Sequence, residues 1–460
     1  MTRGKTGMLG KFKPLVIRDP VHDMIHIDDN EVDRLAIALI KAPEFQRLRH
    51  IKQLGFADLV YPGATHSRMS HSIGVMAVAR QFLSRLSASG MERDVKDHQL
   101  AVIAAALLHD IGHGPFSHAF EAVSNVNHEE LTLKIILSED TGVGKVLREF
   151  GTHLPDKVAT FFSKDVNEFK KKNIPPYLQY IVSGQLDADR LDYLVRDGRH
   201  TGVTYGNIDI PWIINSIQVD PDDNIFFISP KGVAAIEEYV YSRYHMYRAV
   251  YFHKSTRAAE RLFTLFFGRV RELCPHGCHA RAIRSFIPDC PSTVIPLIQR
   301  DLSLKSFTQL TDHTLWHTLH AAQESRDPVL QSLAQRLVSR NLYKVVDISD
   351  IHDKMGYLSE RLMSRLNEIV RDKIGNDTWQ YYISSETVSD HPYPLYWPKS
   401  RDTHSLIHVA TAQGKPRELS QVSGPIQALT SKYELLRVYC TEDLKPAVEK
   451  EIAAVVQERR

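Results

Sequence analysis

The stretch LLHDIGHGPFSH, Leu107–His118, decides how this chain is read. An apolar run with helical spacing, QLAVIAAALLHD, drives into His109 and Asp110. Two glycines, a proline and two more histidines follow within the next eight positions. A helix that only filled a core would not end this way. His109 and Asp110 stand at the rim of that core, and neighbours on a helix point about 100° apart, so both can flank one ion. Gly112 and Gly114 stop the helix and bring backbone close to the site.

Outward from this stretch the pattern stays helical, from Glu31 to about Arg199. EVDRLAIALIKAPEFQRLRHIKQLG and SHSIGVMAVARQFLSRL carry apolar residues three and four apart. YPGATH, IGHGP and NIPPY mark loops. LVIRDPVHDMIHIDD reads as a short β-hairpin, and IQVDPDDNIFFIS as another across Asp-Pro-Asp-Asp-Asn. Helices resume at Lys231 and run to about Lys344. TWQYYISS, LIHVAT and LLRVYCT then read as strands, and LKPAVEKEIAAVVQE as a closing helix. The expected fold is mainly α, a helical bundle with short β-hairpins followed by a smaller α+β region.

The bulk composition is that of an ordinary globular protein: 460 residues, 43% hydrophobic and 24% charged. That length exceeds one simple core and implies subdomains. A net charge of +2 gives no reason to expect a nucleic-acid binder, so single-stranded nucleic acid is not indicated as a partner. No window is apolar enough for a signal peptide or a membrane span. Four cysteines make no disulfide framework and favour a reducing cytoplasm. In CPHGCHARAIRSFIPDC, Cys274, Cys278 and Cys290 are spaced irregularly around Pro and Gly, which argues for thiols and against a structural zinc.

Two further residues join His109 and Asp110. HSRMSHSIGV places His71 in the first turn of a helix, and QLDADRLDYLVRD offers Asp189. Two imidazoles and two carboxylates form a mixed N/O set that suits Mn²⁺, Fe²⁺, Co²⁺, Zn²⁺ or Mg²⁺ and leaves positions open for water and a phosphate oxygen. One such ion per subunit would lower the pKa of bound water and neutralise phosphoryl charge.

HSIGV, LLHDIGHGPFSH and DADRLDYLVRD together resemble the HD-domain phosphohydrolase superfamily. FQRLRHIKQLG, YPGATHSR, DYLVRD, RAVYFHK, LTDHTLWHTL and SRNLYKVV narrow the resemblance to its deoxynucleoside triphosphate triphosphohydrolases, over about residues 15–345. No sterile-α-motif domain is expected ahead of the HD body. The resemblance divides the chain into an N-terminal hairpin segment (1–30), an HD catalytic core (31–205), a helical lobe completing a nucleotide site (206–345) and an α+β C-terminal domain (346–460). It implies that His71, His109, Asp110 and Asp189 hold the metal. The implied reaction is attack of water at the α-phosphorus of a dNTP, releasing a deoxynucleoside and inorganic triphosphate. His118 stands where the family places the proton donor, a task that suits histidine. His113 and His128 match phosphate-contacting histidines, and Glu121 stands where the animal enzymes have Asp.

For the substrate, Arg68, Arg190, Arg243 and Lys254 match phosphate contacts, with Arg190 replacing a family Lys. Asp189, Tyr193 and Asp197 are spaced i, i+4, i+8 and form one helical stripe leading away from the metal. That places Asp197 at the sugar 3′-OH, opposite Gln53 and Leu54. Tyr251, followed by His253, matches the ring that leaves no room for a 2′-OH. Animal members are activated by guanine nucleotides between subunits, and the matching positions here are Arg18, Lys41 and Arg49. An activating dNTP or GTP and a homo-oligomer (dimer, tetramer or hexamer) follow by analogy. Dispersed roles such as nucleotide-pool control or phage defence fit the same chemistry. The competing reading is another HD phosphohydrolase: a phosphodiesterase, a single-strand nuclease or a nucleotide phosphatase.

Overall fold

The computed structural model describes residues 13–457, apart from 164, 221–224, 276–277, 350–355, 376, 391, 394–405 and 412–415. Strands β1 (Leu15–Asp19) and β2 (Asp23–Ile27) form an antiparallel hairpin with Leu15 opposite Ile27. Helix α1 (Glu31–Lys41) follows, capped by Asn30, whose side chain accepts from the Asp33 N–H at 2.9 Å.

The centre of the molecule is the pair α2 (Arg68–Leu86) and α3 (Glu92–Leu108). Every residue from Ala101 to Leu108 is at most 1% exposed. The alanines among them let this half of α3 lie close against its neighbours, so from Ala101 to Leu108 it is buried all round rather than on one face. Short α4 (His118–Ser124) and α5 (His128–Leu137) follow the histidine-rich turn. Helix α6 (Ala188–Thr201) is started by Asp187, which accepts from the Arg190 N–H at 2.8 Å, and stopped by Gly202 at φ +77°. It packs on α2. Helices α7 (Val233–Met246), α8 (Lys254–Leu273), α9 (Asp312–Ala322) and α10 (Pro328–Val338) complete the body. The fold is mainly α, as the sequence indicates.

The hairpin expected near residue 220 is present as antiparallel β3 (Ile217–Asp220) and β4 (Ile225–Ile228); its turn lies outside the described residues. In the C-terminal region, β5 (Lys344–Asp347), β6 (Ile383–Asp390) and β9 (Tyr433–Cys440) form an antiparallel sheet in the order β5-β9-β6. Helices α11 (Gly356–Ile374) and α12 (Lys445–Gln457) cover it around a core that includes Leu362, Leu366, Val438 and Val448. The strand expected from Thr378 starts only at Ile383, because Trp379–Tyr381 form a 3₁₀ turn whose Tyr381 carbonyl accepts from the Tyr343 hydroxyl. β7 (His408–Val409) runs parallel to β4 and antiparallel to β8 (Arg417–Glu418), which ties this region to the helical body. Cys274 and Cys278, expected as thiols, are joined to each other, while Cys290 and Cys440 are free and buried.

Candidate metal centre and nucleotide pocket

Three helix ends meet at the site. α2 delivers His71 from its first turn, the end of α3 delivers His109 and Asp110, and the start of α6 delivers Asp189. His71 Nε2 lies 3.2 Å from His109 Nε2, 3.0 Å from Asp189 Oδ1 and 3.7 Å from Asp110 Oδ2. His109 Nε2 lies 3.5 Å from Asp189 Oδ1 and 3.4 Å from Asp110 Oδ1. His71, His109 and Asp189 offer ligand atoms that all lie within 4.8 Å of one another and can share one ion; Asp110 stands beside them, paired with Arg68.

The opposite ring nitrogens settle the tautomers. His71 Nδ1 donates to Asp192 Oδ2 at 2.8 Å and His109 Nδ1 donates to the Ala106 carbonyl at 2.9 Å. Nδ1 is thereby committed as a donor in each ring, so Nε2 is the nitrogen each can offer to a metal. Burial alone would lower the His71 pKa, but hydrogen bonds to Asp189 and Asp192 outweigh it and hold the imidazole at about 10. A cation at Nε2 would take the place of that proton. Burial opposes ionisation of Asp110, but Arg68, His109 and His113 hold its carboxyl well below the usual range.

Asp192 was not singled out by sequence, although it lies one turn beyond Asp189 in the same motif. It also accepts from His22 at 2.6 Å and pairs with Arg196, which in turn bonds Asp19 at 2.9 and 3.0 Å. All of this packs against Gly74, where a Cβ would sit 1.9 Å from Asp192 Oδ1. At Gly112 a Cβ would meet the His128 carbonyl at 2.1 Å, the close backbone approach that the sequence suggests.

Beside the metal ligands is a cluster of His113, His118, His128 and Glu121. His113 Nε2 is 3.3 Å from Asp110 Oδ1, and its ring stacks on His128 with centroids 4.0 Å apart. Glu121 bonds His128 and lies 3.4 Å from His118 Nδ1. Burial and the neighbouring Arg68 charge push His113 down to about 3, so it is neutral at pH 7. Burial would raise Glu121, but His118 and His128 carry it well below the usual carboxylate range. The His118 side chain is 71% exposed.

A cavity of about 370 Å³ is lined by Asp110 and Asp189. Gln53, Leu54, Arg68, His113, His118, His128, Tyr193, Asp197 and Tyr251 also line it. Asp197 takes the Tyr251 hydroxyl at 2.9 Å and His66 Nε2 at 2.7 Å, and Tyr193 meets Tyr251 edge-on at 6.0 Å. The buried Gln53 Oε1 has no partner among the described residues.

Other expected positions fall elsewhere. Arg190 folds back onto its own helix cap, Asp187, and the Gly184 carbonyl. Arg243 donates to Gln185 Oε1 at 3.0 Å and lies over Tyr247. His253 caps α8, its Nδ1 accepting from the Ser255 N–H, and Lys254 is the first residue of that helix. None of these four lines the cavity, nor does Glu121. Arg18, Lys41 and Arg49 are exposed and are also apart from it. Conversely Thr256, Arg257 and Glu260 line the cavity without having been anticipated. Arg257 is paired with Glu260 and with Glu386 of β6. Its place thus depends on a residue 129 positions later, which no local pattern could reveal.

The HD domain family model matches residues 68–194. An uncharacterized protein of Bacillus subtilis, YwfO, is 35% identical over 417 residues, covering 91% of this chain and 89% of that one. The deoxynucleoside triphosphate triphosphohydrolase SAMHD1 of Danio rerio is 26% identical over 92% of this chain and 70% of its own length. The human SAMHD1 is 29% identical, and this chain covers 54% of it. The crystal structure of a phosphohydrolase from Bacteroides thetaiotaomicron superposes with a TM-score of 0.73 at 27% identity, covering 93% of this chain and all of that one. The chain belongs to the HD-domain family of metal-dependent phosphohydrolases. Among the described residues no helix is long and apolar enough to cross a membrane.

Proposed function

We propose that this protein is a dNTP triphosphohydrolase that converts a dNTP into a deoxynucleoside and inorganic triphosphate. The observation that carries the reading is one cavity lined both by Asp110 and Asp189, beside the His71–His109–Asp189 cluster, and by the Asp197–Tyr251 pair. SAMHD1, with this activity in its name, is similar over most of the chain.

His71, His109, Asp110 and Asp189 would hold a divalent ion. When bound, it would supply a Lewis acid and lower the pKa of water. Arg68, bonded to Asp110 and to Ser117 Oγ, places a fixed positive charge where phosphate oxygens would lie. Neutral His113 can donate a hydrogen bond to the α-phosphate. Water attacks the α-phosphorus, the bond from phosphorus to O5′ breaks, and His118 gives its proton to O5′. Glu121 orients His118 and His128. Asp197 and Gln53 receive the 3′-OH, and the Tyr251 ring fills the space a 2′-OH would need. Arg190 and Arg243 reach the triphosphate tail only if substrate draws them from their present partners, and Lys254 is a further candidate contact for that tail. Arg18, Lys41 and Arg49 are the candidate contacts for an activating dNTP or GTP in a homo-oligomer.

The test is purified protein with Mn²⁺ or Mg²⁺ and each dNTP and rNTP, singly and in mixtures. Inorganic triphosphate with deoxynucleoside, from dNTPs and not from rNTPs, supports the reading. Pyrophosphate, orthophosphate or shortened oligonucleotides would move the protein to another HD phosphohydrolase class.

A further inference from the structure

The stretch LTDHTLWHTL contributes to the family resemblance, yet the mechanism above uses none of it. Its Asp312, the first residue of α9, is 3% exposed. Asp312 Oδ2 accepts the Lys52 N–H at 2.9 Å and Oδ1 accepts the Phe116 N–H at 3.0 Å. These two amides belong to separate segments of the pocket. Lys52 precedes Gln53, and Phe116 begins the turn that delivers His118.

Within the turn, the Ser117 N–H donates to the Gly114 carbonyl at 3.1 Å and the Ala119 and Phe120 N–H groups to the Phe116 and Ser117 carbonyls at 3.2 and 3.1 Å, while the Phe116 amide is held from outside. Phe116 and Ser117 are consecutive non-glycine residues, both at φ +56°, in a region that side chains disfavour. Further restraints come from other segments, and Ser117 Oγ itself lies 3.4 Å from the Lys52 and Gln53 carbonyls. Asp312 holds the Phe116 amide, Arg68 donates to Ser117 Oγ at 3.1 and 2.7 Å, and the Phe116 ring stacks on Phe56 at 4.1 Å. Trp316, one turn along α9 from Asp312, meets Phe116 edge-on at 5.6 Å. A carboxylate can accept from two diverging N–H groups at once, whereas an amide would turn its own donors toward one of them. Burial pushes Asp312 up to about 6, while the two N–H donors, Lys52 and Arg68 favour its ionised form.

We propose that Asp312 is a positioning residue: its carboxylate ties the Lys52–Gln53 segment to the Phe116–Ser117 turn and so sets His118 and Gln53 in register. What that register serves rests on the dNTP reading above; the tie itself does not.

The experiment uses the full chain and the variants Asp312→Asn and Asp312→Ala. With metal content unchanged, kcat for a dNTP falls about 10- to 100-fold, because small misplacements of a catalytic group are costly. KM rises, and the basic limb of the kcat–pH profile flattens as the proton donor disengages. A kcat within twofold of wild type, or a loss that only tracks metal content and melting temperature with an unchanged pH profile, would overturn the proposal. Amide exchange on the wild-type protein gives an answer that needs neither variant nor turnover. Lys52 and Phe116 should exchange as slowly as the buried amides of α3; exchange at loop rates refutes the tie. Should the wild type cleave no dNTP, the functional reading fails while the exchange result still decides this one.

Discussion

At the scale of single residues, the account separates holding the metal from doing the chemistry. His118 is mostly exposed and contacts Glu121, whereas His71 is fully buried among Asp110, Asp189, Asp192 and His109. His118→Ala should therefore abolish product formation while metal content, read by atomic emission, stays at the wild-type level; surviving activity would remove His118 as the donor. Tyr251→Ala opens the wall beside Asp197, and the ratio of rNTP to dNTP turnover should rise at least about tenfold, equivalent to about 1.4 kcal/mol. His113 supplies a pH prediction. Its folded pKa of about 3 lies below the unfolded value of about 6.5, so below pH 6.5 the unfolded chain takes a proton that the folded protein refuses. The stability it contributes is complete above pH 6.5 and is lost as pH falls toward 3. In metal-free protein, wild type should lose melting temperature faster than His113→Gln between pH 6.5 and 4; parallel curves would contradict the assignment.

At the scale of elements, the site is a meeting of helix ends, and how legible it was follows from that. His71, His109, Asp110 and Asp189 were readable because each sits at a helix terminus within a short motif. Asp192 and Arg196 were not read, since their task is to face α2 rather than the ion. Arg190 bonds its own helix cap, Asp187, and the Gly184 carbonyl, a local pairing that the motif's spacing does not reveal. Arg257 was missed because Glu386 arrives from a separate sheet. The α2–α6 contact is closed at Gly74, where no side chain fits between α2 and the Asp192–Arg196 pair. Gly74→Ala should cost about 1–3 kcal/mol, as overpacking does. It should also weaken metal binding by displacing Asp192 from His71, visible as a raised metal Kd in calorimetry. An unchanged Kd would show that Asp192 does not hold the ligand ring.

At the scale of the whole molecule, the helical body was foreseeable from three- and four-residue apolar spacing, because its helices are long and bury their apolar residues. The C-terminal region was less so. Its strands are short, β7 and β8 having two residues each, and their pairing joins segments far apart in sequence. Metal binding should stabilise the body, since the donors come from three helices that unfolding separates. At a hundredfold excess over Kd the gain is about 2.7 kcal/mol, so chelation should lower the melting temperature by several degrees. The most direct test of the central claim follows the oxygen of water. With a dNTP hydrolysed in ¹⁸O-water, attack at the α-phosphorus puts the label into the inorganic triphosphate and leaves the 5′-hydroxyl of the deoxynucleoside unlabelled. Label in the deoxynucleoside, or in released orthophosphate or pyrophosphate, would contradict it.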